Sequence, residues 1–402
     1  MKNILIAIRS IFKKGRHNVM KIVSLGIGLA VGLVLIAKVY FEQSYDDFYP
    51  DRDRVYQVWA KYQQNGGELK DYPQTSGGIA PTMQQQIPEI ETVTRYTSFG
   101  DWTFTMTDTK MKYSGRCIIA DSCFFDILPR PMLIGNAKEV LSTPMYVLIS
   151  SRIAKNIGGD VIGKNFTVDN SPGRTMTIGG VFEEVPENSH SRYDVIVSMA
   201  SAGRFMWEGS PTNMLGNDRY ISYVKLHKGV NPLALEEQVR TFVNSYFPPA
   251  EQQQVGLSID FSFHKLDNLH KELPQVKRMT WILSLLAFAL IFTAVMNYIL
   301  IVISSIVNRS KEVAVHKCYG ASENNIHGMM FGEALVHIVL SLILALLLIL
   351  AFRGTVEELL ATSLDSLLLS NGSLVLLGIC ILVFFVSGFM PGSLYARIPV
   401  AS

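Results

Sequence analysis

Charge is what this sequence has least of. Only 17% of its 402 residues are Asp, Glu, Lys or Arg, against about 25% in an average soluble domain, while 49% are hydrophobic. That balance excludes a disordered chain, which has too little apolar surface to bury, and argues against an ordinary cytosolic enzyme. A basic surplus is missing as well. The net charge is +2, so no nucleic-acid partner is expected, because such binders concentrate positive charge. Cysteine is scarce, with four residues. No C-x-x-C or H-E-x-x-H spacing occurs, and His190, His227, His264 and His270 fall on separate segments, so no metal or other cofactor is expected. A G-x-S-x-G nucleophile motif is absent too, and nothing in the chain reads as catalytic.

One segment invites the opposite reading. Gly158-Gly159-Asp160-Val161-Ile162-Gly163-Lys164-Asn165 satisfies G-x-x-x-x-G-K, yet it places Asn165 where a phosphate-binding loop needs Ser or Thr to hold Mg²⁺. Its flanks also have the wrong order, a helical pattern before the glycines and a strand pattern after them, so nucleotide binding is rejected.

The scarce charge is segregated. Residues 1–21 hold Lys2, Arg9, Lys13, Lys14, Arg16 and Lys21 and no acid. Ile4, Leu5, Ile8, Ile11 and Phe12 recur there at helical spacing, which predicts an amphipathic helix over 1–18 lying in the headgroup layer. An apolar run then spans 19–41, matching the roughly 30 Å hydrocarbon core at 1.5 Å per residue. It is too long for a signal peptide, and Lys38 near its end is expected to snorkel to the headgroups. Three more apolar spans lie near 279–307, 330–352 and 373–391. The polar stretch 42–276 carries 22 Lys and Arg against 28 Asp and Glu. The positive-inside bias therefore puts both termini in the cytoplasm and 42–276 outside.

Within 42–276 the patterns alternate between strand and helix. Val55–Tyr62, Trp102–Asp108, Lys110–Ala120, Phe166–Val168, Arg174–Phe182, Tyr220–Leu226 and Leu257–Leu266 read as strands. Ile79–Ile87, Ser150–Ile157 and Pro232–Phe247 read as helices, the last with Pro in its first turn. The order strand, helix, strand recurs near 55–97 and 220–266, as though two related halves were present. The expected fold is thus four transmembrane α-helices with a large α+β extracytoplasmic domain inserted between the first and second. Cys117 and Cys123 fall outside the cell, where they either pair or remain two small buried thiols.

Three residues in the spans carry physical signals. Gly28 and Gly32, four apart, offer a smooth face for close helix contact. Asn297 is costly to leave unpaired in hydrocarbon and is expected to hydrogen-bond across a helix or dimer interface. Glu333 lies near the start of the third span, within reach of the cytoplasmic interface.

The run from Arg309 to Ser322, RSKEVAVHKCYGAS, followed by Phe331-Gly332-Glu333-Ala334, resembles the signature of FtsX-like/MacB-type ABC transporter permeases. Glu42, Ser44-Tyr45-Asp46, Phe48 and Arg54-Val55-Tyr56 resemble the start of the MacB-like periplasmic core domain. So do Ile162-Gly163-Lys164, Gly180-Val181 through Pro186, Asn188-Ser189-His190 and Asp194. The closing Pro391-Gly392 and Ala396-Arg397-Ile398-Pro399-Val400 resemble the family's cytoplasmic exit. His316 departs from the usual Arg, and Cys318 from a small or β-branched residue.

The resemblance implies a non-catalytic permease subunit of the mechanotransmission type in a bacterial inner membrane. A separate cytosolic ABC ATPase dimer would dock on the cytoplasmic loop 308–328 through Arg309, Lys311, Glu312, Lys317, Gly320, Ala321, Ser322, Glu323 and Glu333. It also implies a second permease unit, identical or paired, with a periplasmic adaptor and an outer-membrane channel as further partners. Export of a peptide, lipoprotein or toxic compound would follow. The alternative is a membrane-anchored sensor or scaffold that regulates an envelope partner without transport.

Overall fold

The computed structural model describes residues 18–169, 171–318 and 323–368, with positions 374, 375, 377, 378, 381, 382, 385 and 386. The amphipathic segment before residue 18, most of the fourth apolar run and the closing segment 391–400 lie outside the described residues. Two compact units divide the chain: Tyr45–Glu272, and the stretches before and after it together.

The described residues open in α1 (Asn18–Gln43) and then enter the inserted unit, an 11-stranded mixed sheet. Its strands are β1 (Val55–Gln64), β2 (Leu69–Tyr72), β3 (Ile90–Met106), β4 (Lys112–Ala120), β5 (Met132–Ile134), β6 (Tyr146–Ser150), β7 (Asn165–Val168), β8 (Ser171–Phe182), β9 (Val195–Ser198), β10 (Ile221–Leu226) and β11 (Leu257–Lys265). They run in the order β11-β1-β10-β3-β4-β9-β6-β8-β5, with β2 on β1 and β7 between β3 and β8.

Two strand–helix–strand units share the first four places. One is β1, α2 (Ile79–Gln86) and β3; the other is β10, α3 (Glu236–Tyr246) and β11. Their strands interleave as β11-β1-β10-β3 with every neighbour antiparallel, the arrangement of a split β-α-β-β-α-β motif. The two helices share one core. Ile79, Ala80 and Met83 meet Val239, Phe242 and Val243 above Val58, Ala60, Val224, Ile259 and Phe261. Residue choice explains the helix ends: Asn231 accepts from the Leu233 N–H to start the turn leading into α3, and Pro88 follows the end of α2.

The long β3 continues past this motif and founds the second lobe. Parallel pairing of β4 with β9 and of β6 with β8 buries Phe104, Ile119, Val147, Ile149, Phe166, Ile178 and Val197 in a separate core.

Beyond residue 272 the chain forms α4 (Pro274–Cys318), α5 (Glu323–Ala351) and α6 (Arg353–Leu360). The segments Val19–Gln43 and Pro274–Leu300 are long and apolar enough to cross a membrane, as is Leu335–Ala351 joined to Arg353–Leu360 across a 69° bend. The segment 308–328, expected as a loop, is helical to Cys318 and again from Glu323. The reason is local: no Gly or Pro interrupts Arg309–Cys318, and Lys, Glu and Ala favour helix as much as they favour a solvated loop.

Candidate functional site

The coupling residues expected from the sequence fall on two helices and the gap between them. Arg309, Lys311, Glu312 and Lys317 sit on the last turns of α4, Glu323 opens α5, and Glu333 lies ten residues further along it. Gly320, Ala321 and Ser322 lie outside the described residues. The charged stretch is therefore the end of the helix that begins at Pro274, two residues after the inserted unit closes.

The helix contacts are made through small residues. A Cβ built on Gly28 would overlap that of Ala294 on α4, and one on Gly32 would lie 2.7 Å from Ile291 Cγ1. Gly26, which the sequence pattern does not single out, does the same toward α5, 2.9 Å from Leu344 Cδ2. In hydrocarbon there is no hydrophobic drive between helices, so close backbone approach at such positions supplies the packing. The face of α4 turned inward carries Ala287, Ala294 and Tyr298, whereas Asn297 lies on an exposed face of the same helix.

Lys38 corrects its expectation. It does not snorkel: it is 6% exposed, its Nζ lies 2.6 Å from Glu42 Oε1 and it donates to Thr362 Oγ1 at 2.7 Å. Glu42, one turn on, is 4% exposed. A full ion pair with a hydroxyl partner keeps two charges satisfied where bulk water is excluded. The contact spans more than 300 residues of sequence, so no local pattern announces it.

Within the inserted unit, the inbound segment after α1 and the outbound segment before α4 are stapled together. Tyr45 stacks on His270 with the rings 6° from parallel. Lys271 Nζ lies 3.2 Å from Asp47 and 2.9 Å from Asp267, and Arg52 reaches Asp267 at 3.3 Å. Next to them, Arg54 bridges Asp51 and Glu91, and Lys225 Nζ sits 2.6 Å from Asp51 Oδ2. Hydrogen bonds from Arg54 and Lys225 hold the Asp51 carboxyl down at about 2.

Among the described residues, no group of His, Cys, Asp and Glu is arranged to hold a metal ion. Gly158, Gly159 and Gly163 all have positive φ, but they form the turn between the helix Ser151–Ile157 and β7, and the Lys164 ammonium faces Asp108 at 4.0 Å. Cys117 is buried on β4 and Cys123 donates to the Val93 carbonyl at 3.1 Å; both are free thiols. Burial pushes both thiols above their ordinary range, which keeps them protonated.

Two family descriptions match the chain: MacB-like periplasmic core domain over residues 20–242 and FtsX-like permease C-terminal over 284–400. Among solved structures, the chain is similar to a domain of a permease protein from Porphyromonas gingivalis, with 32% identity over 54% of this chain and 91% of that one, at a TM-score of 0.50. It also matches the periplasmic region of MacB from Actinobacillus actinomycetemcomitans (13% identity, 55% of this chain and 92% of that one, TM-score 0.38). A third match is the extracellular domain of the noncanonic ABC-type transporter YknZ from Gram-positive bacteria (10% identity, 51% and 98%, TM-score 0.36). Among curated proteins none matches.

Proposed function

Because the chain belongs to the FtsX/MacB-type permeases of ABC transporters, membrane proteins with a large extracytoplasmic α+β domain, we propose that it works by mechanotransmission. A separate cytosolic ATPase dimer binds the charged end of α4 and the start of α5. Closure on ATP displaces α4 and α1, and the displacement reaches residues 45–272 on the periplasmic side. Both termini lie in the cytoplasm, and two permease units act on two ATPase subunits. The outcome is export of a peptide, lipoprotein or toxic compound.

One observation carries this reading. α4 is a single helix of 45 residues, roughly 68 Å long at 1.5 Å per residue, more than twice the ~30 Å hydrocarbon core. A helix of that length joins the residue after the inserted unit to the charged segment 309–318 without a loop to absorb motion. The contacts among the described spans support transmission of force, since Leu25, Leu29, Ala294, Ile338 and Ala345 pack into one apolar cluster.

The test is co-purification of an ATPase with the full chain in nanodiscs, reading ATP turnover. Glu312→Lys and Lys317→Glu are expected to lower stimulation about tenfold, the loss that follows reversal of a charge in a docking contact. An ATPase stimulated equally by both reversed variants favours the sensor or scaffold reading instead.

A further inference from the structure

Two stretches that resemble the family, Ser44-Tyr45-Asp46 and Asn188-Ser189-His190, are far apart in sequence, and the fold joins them at one buried carboxylate. Asp46 is fully buried and held at φ 60°, a left-handed conformation that L-residues adopt at a cost. Its N–H donates to the Asn188 carbonyl at 2.9 Å. Its Oδ1 accepts from the Ser189 hydroxyl and the His190 N–H, both at 3.2 Å, and its Oδ2 lies 2.8 Å from His190 Nδ1. The opposite ring nitrogen of His190 is within hydrogen-bond reach of the Tyr223 hydroxyl. Ser191 Oγ lies 2.6 Å from Tyr96 Oη.

Tyr223 belongs to β10 and Tyr96 to β3, the adjoining central strands of the split motif. The chain of polar contacts thus starts three residues after the last residue of α1 and ends in the middle of the sheet. It is enclosed by an aromatic core of Tyr49, Phe124, Tyr193, Tyr96 and Tyr223, which also holds Leu266 at the end of β11, on the outbound segment. An apolar plug in this place would anchor the segment with no buried charge to satisfy. Hydrogen bonds to a fixed carboxylate add direction: they resist pulling, pushing and rotation, where an apolar contact slides.

We propose that Asp46, His190 and Tyr223 form a clamp that hands displacement of α1 to β3 and β10, and so act as positioning residues for the coupled movement of the inserted unit. The clamp rests on the mechanotransmission reading above. The partly buried pairs Asp47–Lys271 and Arg52–Asp267 keep the inbound and outbound segments together but carry less of the load than the enclosed clamp, because solvent screens them more.

The experiment uses the full chain with its ATPase in nanodiscs, following amide hydrogen exchange with and without ATP alongside ATP turnover. In the wild type, ATP changes exchange in β3 and β10. His190→Ala is expected to leave turnover within about twofold while cutting that ATP-driven change about tenfold, the factor that accompanies loss of a hydrogen bond to a charged group. Asp46→Asn retains an acceptor and tolerates the left-handed backbone, and so restores part of the response. Tyr223→Phe, which removes one hydroxyl, decides the matter should His190→Ala fail to fold, and it too is expected to weaken the response. Lys271→Ala leaves the response intact. A folded His190→Ala or Tyr223→Phe protein that passes on the full change overturns the clamp alone. A wild type whose β3 and β10 ignore ATP while the ATPase turns over overturns the mechanotransmission reading and takes the clamp with it.

Discussion

Each of the two units of this chain is held together internally by forces of a different kind. In Tyr45–Glu272, large aromatic and aliphatic side chains fill continuous cores, and ion pairs lie mostly at the margins. In the helical unit, the inward faces carry Gly26, Gly28, Gly32 and Ala294, most of α4's span is exposed, and a charge pair is fully enclosed. Water drives apolar burial in the first case. In lipid a leucine gains nothing by leaving the tails, so shape and polar satisfaction decide helix contacts. The same substitution should therefore have opposite rank in the two places.

The largest effect is expected at Lys38. Lys38→Met takes the ammonium away from the buried Glu42 carboxylate, which should lower the stability of the full chain in detergent by about 4 kcal/mol, while adding Glu42→Leu should recover most of the loss. Equal melting temperatures for single and double variants would break the comparison. Next comes Gly28→Leu, whose side chain would occupy the position of Ala294; a loss of about 3 kcal/mol is expected from overpacking, measured by thermal unfolding with a reporter on α4. If that variant melts like the wild type, α1 and α4 are not packed through this face.

In the inserted unit, Cys117→Ser places a hydroxyl among Trp102, Phe104 and Ile119. It should cost about 2 kcal/mol, whereas adding reductant to the wild type should change nothing, because both thiols are free. A melting point that falls in reductant would mean a disulfide exists after all. The smallest effect concerns pH. Asp51 titrates lower folded than unfolded, so its contribution is complete above the ordinary carboxylate value of 3.8 and is lost as pH falls toward about 2. Asp51→Asn should flatten that part of the acid-denaturation curve and leave neutral stability less affected than the other variants do; an unchanged acid limb contradicts the pairing with Arg54 and Lys225.

Much of this organisation is legible in the sequence because bilayer thickness and strand alternation leave periodic traces. The spans beginning near 19 and 279 and the recurring strand–helix–strand order need only hydropathy and period. How the two halves interleave as β11-β1-β10-β3 is not legible, since pairing order is set by contacts across more than 100 residues. Short strands such as β5 and β9, three and four residues long, leave too little pattern to find. Charge misleads twice. The basic and acidic run at 309–318 resembles a solvated loop but continues a helix, and Lys38 resembles a headgroup anchor although Glu42 and Thr362 enclose it. The Asp46–His190 contact joins two segments that resemble the family, but nothing local ties one to the other.

The most direct measurement places spin labels at the exposed positions Lys228 and Glu358, one in each unit, and follows their distance distribution in nanodiscs with the ATPase. Coupling predicts a shift when ATP is trapped and its reversal after hydrolysis, absent without the ATPase. A distribution that stays the same while ATP is hydrolysed would contradict the transmission of force from the membrane helices to the inserted unit.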